Sequence, residues 1–122
     1  MIQSYKDLEV YKRSFKLAMD IFWMTKDFPK EEMYSLTSQI TRASRSVSLN
    51  IVEGWAKRQY ESVFKQHLIH ALGSNSETES CLLFALECKY INQDTYDRFV
   101  DEVDQIGKMI NKLHQNWTSY GK

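Results

Sequence analysis

Hydrophobic side chains recur at three- and four-residue steps along four stretches of the chain, and that period predicts four helices. In the first, Leu8, Tyr11, Phe15, Ala18 and Phe22 keep the step after a Ser4/Asp7 capping pair, predicting a helix to about Asp27. "DFPKEE" ends it, because Pro29 disfavours helical geometry at Phe28 and suits the first turn of a new helix. The second row, Leu36, Ile40, Ala43, Val47 and Ile51, predicts a helix from Lys30 or Leu36 to Lys57, with the weak helix former Gly54 near its end. Composition alone makes "GSNSETES", residues 73–80, a loop. Yet Leu68, Leu72, Asn75, Glu79, Leu82 and Leu86 hold phase straight through it, predicting one third helix from Tyr60 to Tyr90, about 45 Å long at about 1.5 Å per residue. The fourth begins at an Asn92 N-cap and carries Tyr96, Phe99, Val103, Ile106, Ile110, Leu113 and Trp117.

Four long helices with short connections predict an all-α, antiparallel up-down-up-down four-helix bundle, with residues 1–122 forming a single domain. The tail "TSYGK" is expected to fray. Helices one and two carry apolar groups on more sides than one partner face requires: Val10, Leu17, Ile21 and Met24 beside the first row, Leu49 and Val52 beside the second. Such surplus predicts a protein contact and hence a homo-oligomer.

Helix two also carries a polar stripe, Gln39, Arg42, Ser46, Asn50 and Glu53, about a quarter turn from its apolar row. With Ser74, Glu77 and Glu79 of helix three, the stripe residues Gln39, Arg42, Asn50 and Glu53 are candidates for a polar network at a helix or subunit contact, since buried polar groups need partners and a matched set fixes register. The same groups could instead form a ligand or nucleic-acid site.

Length and composition agree with a helical domain: one proline and four glycines leave little punctuation for a many-stranded fold. Sixteen basic and sixteen acidic side chains give zero net charge, so a nucleic-acid or membrane partner would need a local patch. Residues 1–58 hold ten basic and seven acidic groups, a net +3, against net −3 in the remainder. Arg42, Arg45, Lys57 and Arg58 are the candidate nucleic-acid-binding cluster, otherwise a solvated face. No signal peptide or membrane-spanning run is evident, so the expected location is the cytoplasm. Cys81 and Cys88, seven residues apart on one helix, lie beyond disulfide reach and are expected to be reduced, half-buried packing residues.

Catalytic patterns are wanting. His67 and His70 share a face, but no Glu-x-x-His pair accompanies them, so no metal or other cofactor is predicted. No P-loop, G-x-S-x-G or H-E-x-x-H pattern occurs, and Glu77 and Glu79 diverge on a helix. The chain is read as a non-enzyme.

"QITRASRSVSLNIVEG" and "ALGSNSETE" resemble the four-helix-bundle family of the 23S rRNA intervening sequence proteins, whose patterns run Q-x-x-R-A-x-x-S-V-x-x-N-I-A-E-G and A-x-G-S-x-x-E-x-E. Gln39, Arg42, Ala43, Ser46, Val47, Asn50, Ile51, Glu53 and Gly54 match the first; Ala71, Gly73, Ser74, Glu77 and Glu79 match the second. Phe28, Pro29, Glu32, Tyr34 and Leu36 fit the family's F-P-x-x-E-x-Y-x-L entry to helix two. Thr41 stands where basic residues are frequent, and Lys89 replaces a glycine before Tyr90. The resemblance implies a bacterial homopentamer with no established enzymatic activity. The family is similar to the accessory variability determinant of diversity-generating retroelements, a pentamer that binds nucleic acid and a partner protein. Two functions follow as expectations: an oligomeric accessory protein binding RNA or DNA, or a scaffold binding protein alone.

Overall fold

The computed structural model describes residues 2–119, and it holds four helices: α1 (Glu9–Met24), α2 (Leu36–Ala56), α3 (Glu61–Glu87) and α4 (Gln93–Asn116). Each packs antiparallel on its neighbour in sequence, and α1 closes the ring against α4. The α2–α3 contact is the most extensive and the α1–α4 contact the slightest. One core fills the interior, with Ile21, Ile40, Ile51, Phe64, Leu68, Leu82, Ile106 and Ile110 wholly buried.

The N-terminal capping pair exists but caps a different element. Ser4 and Asp7 form a capping box on a single 3-10 turn, Tyr5–Asp7, and the extended Leu8 separates that turn from α1. The core face of α1 is only partly the row Leu8, Tyr11, Phe15, Ala18, Phe22, of which Leu8 and Ala18 are buried. Val10, Ser14, Leu17, Ala18 and Ile21 are buried, whereas Phe15 is half exposed and Tyr11 and Phe22 lie at the margin. Both rows have helical spacing, and Ser14 resolves the choice: its hydroxyl donates to the Tyr11 carbonyl, so a serine fits the inner face at little desolvation cost. Ser44 and Ser48 of α2 are buried in the same manner, each hydroxyl donating to the carbonyl three residues back.

Between α1 and α2 the chain makes two 3-10 turns, Thr25–Asp27 and Lys30–Glu32, on either side of Pro29. Lys30 therefore does not begin helix two, which starts at Leu36. The Glu32 carboxylate caps it, accepting the Leu36 N–H at 3.1 Å. The same carboxylate accepts the Tyr90 hydroxyl at 2.7 Å from beyond the end of α3, and Phe28 packs on the Tyr90 ring.

Helix α3 runs unbroken through "GSNSETES". Three of its polar side chains there find partners across the bundle or on their own turn: Asn75 donates to the Val103 carbonyl of α4, Ser74 to Ser46 of α2, and Thr78 to the Ser74 carbonyl. A Schellman motif ends α3, with Tyr90 N–H donating to the Ala85 carbonyl, Lys89 N–H to that of Leu86, and Lys89 at φ 66°. The Asn92 side chain caps α4 by accepting from Thr95 N–H, as its position predicts.

The tail is anchored as far as it is described. Ser119 is buried, its hydroxyl donating to the Arg58 carbonyl and accepting from the Trp117 indole, which corrects the expectation of fraying at that residue. Residues 120–122, the rest of that segment, lie outside the described residues. Cys81 is buried and Cys88 exposed, so neither is half-buried; both are free thiols. Burial pushes the Cys81 thiol pKa up.

Candidate functional site

The seam between α2 and α3 carries the polar stripe, and Gly54 sets how closely the two helices approach. A Cβ at Gly54 would meet His67 Cβ at 3.0 Å and the Phe64 ring at 3.2 Å. Gly54 is thus a packing residue in contact with α3, beyond its placement near a helix end.

Along this seam runs one chain of hydrogen bonds. Lys57 Nζ lies 3.2 Å from His67 Nε2, and His67 Nδ1 lies 3.3 Å from Asn50 Oδ1. Asn50 Nδ2 donates to the Ser46 carbonyl at 2.9 Å and to Ser46 Oγ at 3.1 Å, and Ser74 Oγ donates to Ser46 Oγ at 2.9 Å. The protons follow from donor and acceptor types. A lysine ammonium only donates, so Nε2 of His67 is the acceptor and the ring proton sits on Nδ1, facing the Asn50 oxygen. That assignment agrees with Asn50 Nδ2 facing a carbonyl.

Of the residues predicted for a polar network, the structure brings together Asn50 and Ser74, through Ser46 and His67. The side chains of Gln39, Arg42, Glu53, Glu77 and Glu79 have no hydrogen-bond or ion-pair partner among the described residues. His67 was missed as a member. Its signal was weak, since a histidine pairs across helices at no fixed spacing from its partners.

The four candidate nucleic-acid residues do not form one patch. Arg45 lies over the Phe22 ring of α1 at 5.6 Å, sharing that ring with Lys26 at 4.1 Å. Arg58 stacks on Trp55 at 4.3 Å and donates to its carbonyl. Arg42 and Lys57 are fifteen residues apart, roughly 22 Å along the helix. Each cation is nevertheless free of acidic partners: the ion pairs among the described residues are Lys12–Glu9, Arg13–Glu102, Lys16–Asp20 and Lys65–Glu61.

Nothing in this arrangement supplies an acid–base couple or an activated nucleophile. Among the described residues no group of three or more His, Cys, Asp or Glu side chains is placed to hold a metal ion, and no helix is long and apolar enough to cross a membrane. Two concavities of about 410 Å³ each are an open notch beside Arg58 and Trp117 and an apolar groove between Val10 and Met109.

Fold and seam define an all-α bundle whose marked residues pack helices together. The chain matches the family described as 23S rRNA-intervening sequence protein over residues 6–112, and it belongs to that family. No curated protein matches it. Among solved structures it is similar to a protein of unknown function from the S23 ribosomal protein family of Bacteroides thetaiotaomicron VPI-5482, at 25% identity and a TM-score of 0.80. That likeness covers 88% of this chain and 96% of the other.

Proposed function

We propose that this protein is a non-enzymatic accessory protein that assembles with copies of itself, as a pentamer, and offers a repeated cationic surface to RNA or DNA. The observation that carries the assembly is the outer stripe of α1, where Phe15, Met19 and Trp23 follow at four-residue steps, with Trp23 62% exposed. Leu49, 56% exposed, belongs to the neighbouring α2, one turn beyond the Arg45 that covers Phe22. An apolar surface of this kind is favourable to bury against protein. The number five rests on the family resemblance alone. Light scattering on the eluted peak is expected to give a multiple of the 14.5 kDa chain, and Trp23→Glu to reduce it; a monomer mass at micromolar concentration refutes assembly.

The nucleic-acid half is supported by Arg42, Arg45, Lys57 and Arg58, all without acidic partners. A single copy makes few phosphate contacts, but repetition around a ring multiplies them, and affinity grows with contacts made together. Fluorescence anisotropy with labelled RNA and DNA at several salt concentrations is expected to show steep salt dependence, flattened by Arg45→Ala. A second reading, a scaffold that binds only protein, is favoured by the dispersal of these cations and by the aromatic rings that hold Arg45 and Arg58. Absence of binding at about 50 mM salt, where phosphate contacts are strong, selects it.

A further inference from the structure

We infer that His67 is a proton-operated latch on Lys57, and that its protonation converts the end of the bundle at the α2–α3 connection into a cationic site for nucleic-acid phosphate. This rests on the nucleic-acid reading above and adds to it a condition under which binding occurs. The latch follows from the hydrogen-bond chain. Lys57 reaches His67 only while Nε2 has a lone pair; a proton there removes the acceptor and sets a second positive charge 3.2 Å from the ammonium. The two groups then separate, while Nδ1–H keeps Asn50 and the seam intact. Histidine is the side chain suited to such a change near neutral pH.

The charges around the latch favour an anion once it opens. His70 lies on the same face of α3, its ring 6.3 Å from that of His67, with Nε2 3.0 Å from the Gln66 amide. Gln66 can turn that amide to accept from a protonated ring. Arg58 follows Lys57 directly, with one guanidinium nitrogen on the Trp55 carbonyl. Glu53, one turn before Lys57 on α2, is the opposing charge and is bonded to neither group; Glu61 is engaged by Lys65 and by the Ser119 N–H. No hydrogen bond or ion pair from α1 or α4 reaches His67 among the described residues. Protonation thus leaves two cationic rings, each still held by its neighbour, and a released Lys57 beside Arg58.

Two measurements test this. Long-range 1H–15N spectra of the imidazoles at pH 7.5 are expected to show the Nδ1–H tautomer for His67, and Lys57→Ala to relax that preference; the Nε2–H tautomer in the unaltered protein overturns the latch. Anisotropy with oligo-uridine and oligo-thymidine, whose bases do not titrate in this range, is expected to show affinity rising on the order of tenfold from pH 7.5 to 5.5. The salt slope should steepen by about 0.7 for each added contact to a single strand. His67→Gln is expected to abolish most of the rise, and His70→Gln a smaller part; circular dichroism confirms that both variants remain folded. Binding that is equal at the two pH values overturns this inference alone. No binding at either pH overturns the nucleic-acid reading and this inference together.

Discussion

Lys89 holds a left-handed backbone conformation, at φ 66°, because the Schellman motif that ends α3 needs one there. A side chain in that region costs about 1–2 kcal/mol, and glycine's extra freedom in the unfolded chain returns roughly 0.5–1 kcal/mol of it. Lys89→Gly is therefore expected to stabilise the protein by about 0.5–1 kcal/mol in urea denaturation, and equal or lower stability would refute the account. Gly54 and Gly73 make a matched pair. Alanine in an open helical position gains about 1 kcal/mol over glycine, and a Cβ at Gly73 meets nothing within 4 Å. At Gly54 that gain is outweighed by overpacking against His67 Cβ, which costs about 1–3 kcal/mol. Gly73→Ala should raise the denaturation midpoint and Gly54→Ala lower it. Tyr90 supplies a spectroscopic prediction. Its hydrogen bond to Glu32, then burial, pushes its pKa up to about 12, while the Tyr90 hydroxyl and the Leu36 N–H hold the Glu32 pKa below its usual value. The Tyr90 contribution to stability is full below pH 10 and lost as pH rises through about 12; that of Glu32 is present above about pH 4.3 and lost as pH falls through its lowered value. Tyrosinate absorbance should show Tyr90 titrating late, with Tyr11 also raised by burial, and Glu32→Gln should bring the Tyr90 step alone earlier. The sequence carried the Lys89 departure and the Gly54 motif, but not their reasons, since a φ angle and an inter-helix distance belong to the folded chain.

At the scale of the element, α3 is the test of phase against composition. Periodicity carried the helix through residues 73–80 because Asn75 and Thr78 occupy inward positions and are paid for by hydrogen bonds, to Val103 and within the turn. Among the described residues, Asn75 Oδ1 is the side-chain atom that stays buried with no partner. Amides of Ser74–Ser80 are expected to exchange as slowly as those of Leu68 and Leu82; fast exchange confined to that segment would refute a continuous helix. Periodicity failed at α1, where two rows, Leu8–Phe22 and Val10–Ile21, have the same step and differ only in what they face. An aromatic row outscores one containing serine on hydrophobicity, yet Ser14 lies inside and Phe15 outside. The polar seam was half legible: Asn50 and Ser74 sit on the predicted faces, whereas the link through His67 depends on the helix approach that Gly54 allows.

At the scale of the molecule, the surface keeps what the core did not take. Phe15, Met19, Trp23 and Leu49, and Tyr34, 93% exposed although part of the entry motif to α2, remain at the surface of one copy. The prediction of self-association belongs here, because no single residue implies it and the pattern does. The unequal contacts around the ring have a further, kinetic consequence. The α2–α3 pair meets through the most extensive contact and is joined by four residues, so it can form early from contacts near in sequence. The α1–α4 closure joins opposite ends of the chain through the slightest contact, marked by the paired Arg13–Glu102 bonds at 2.9 and 2.7 Å. A bundle built this way is expected to assemble from a central hairpin and to seal last along the α1–α4 edge. That edge, with the slightest contact of the ring, is also where local opening is expected first.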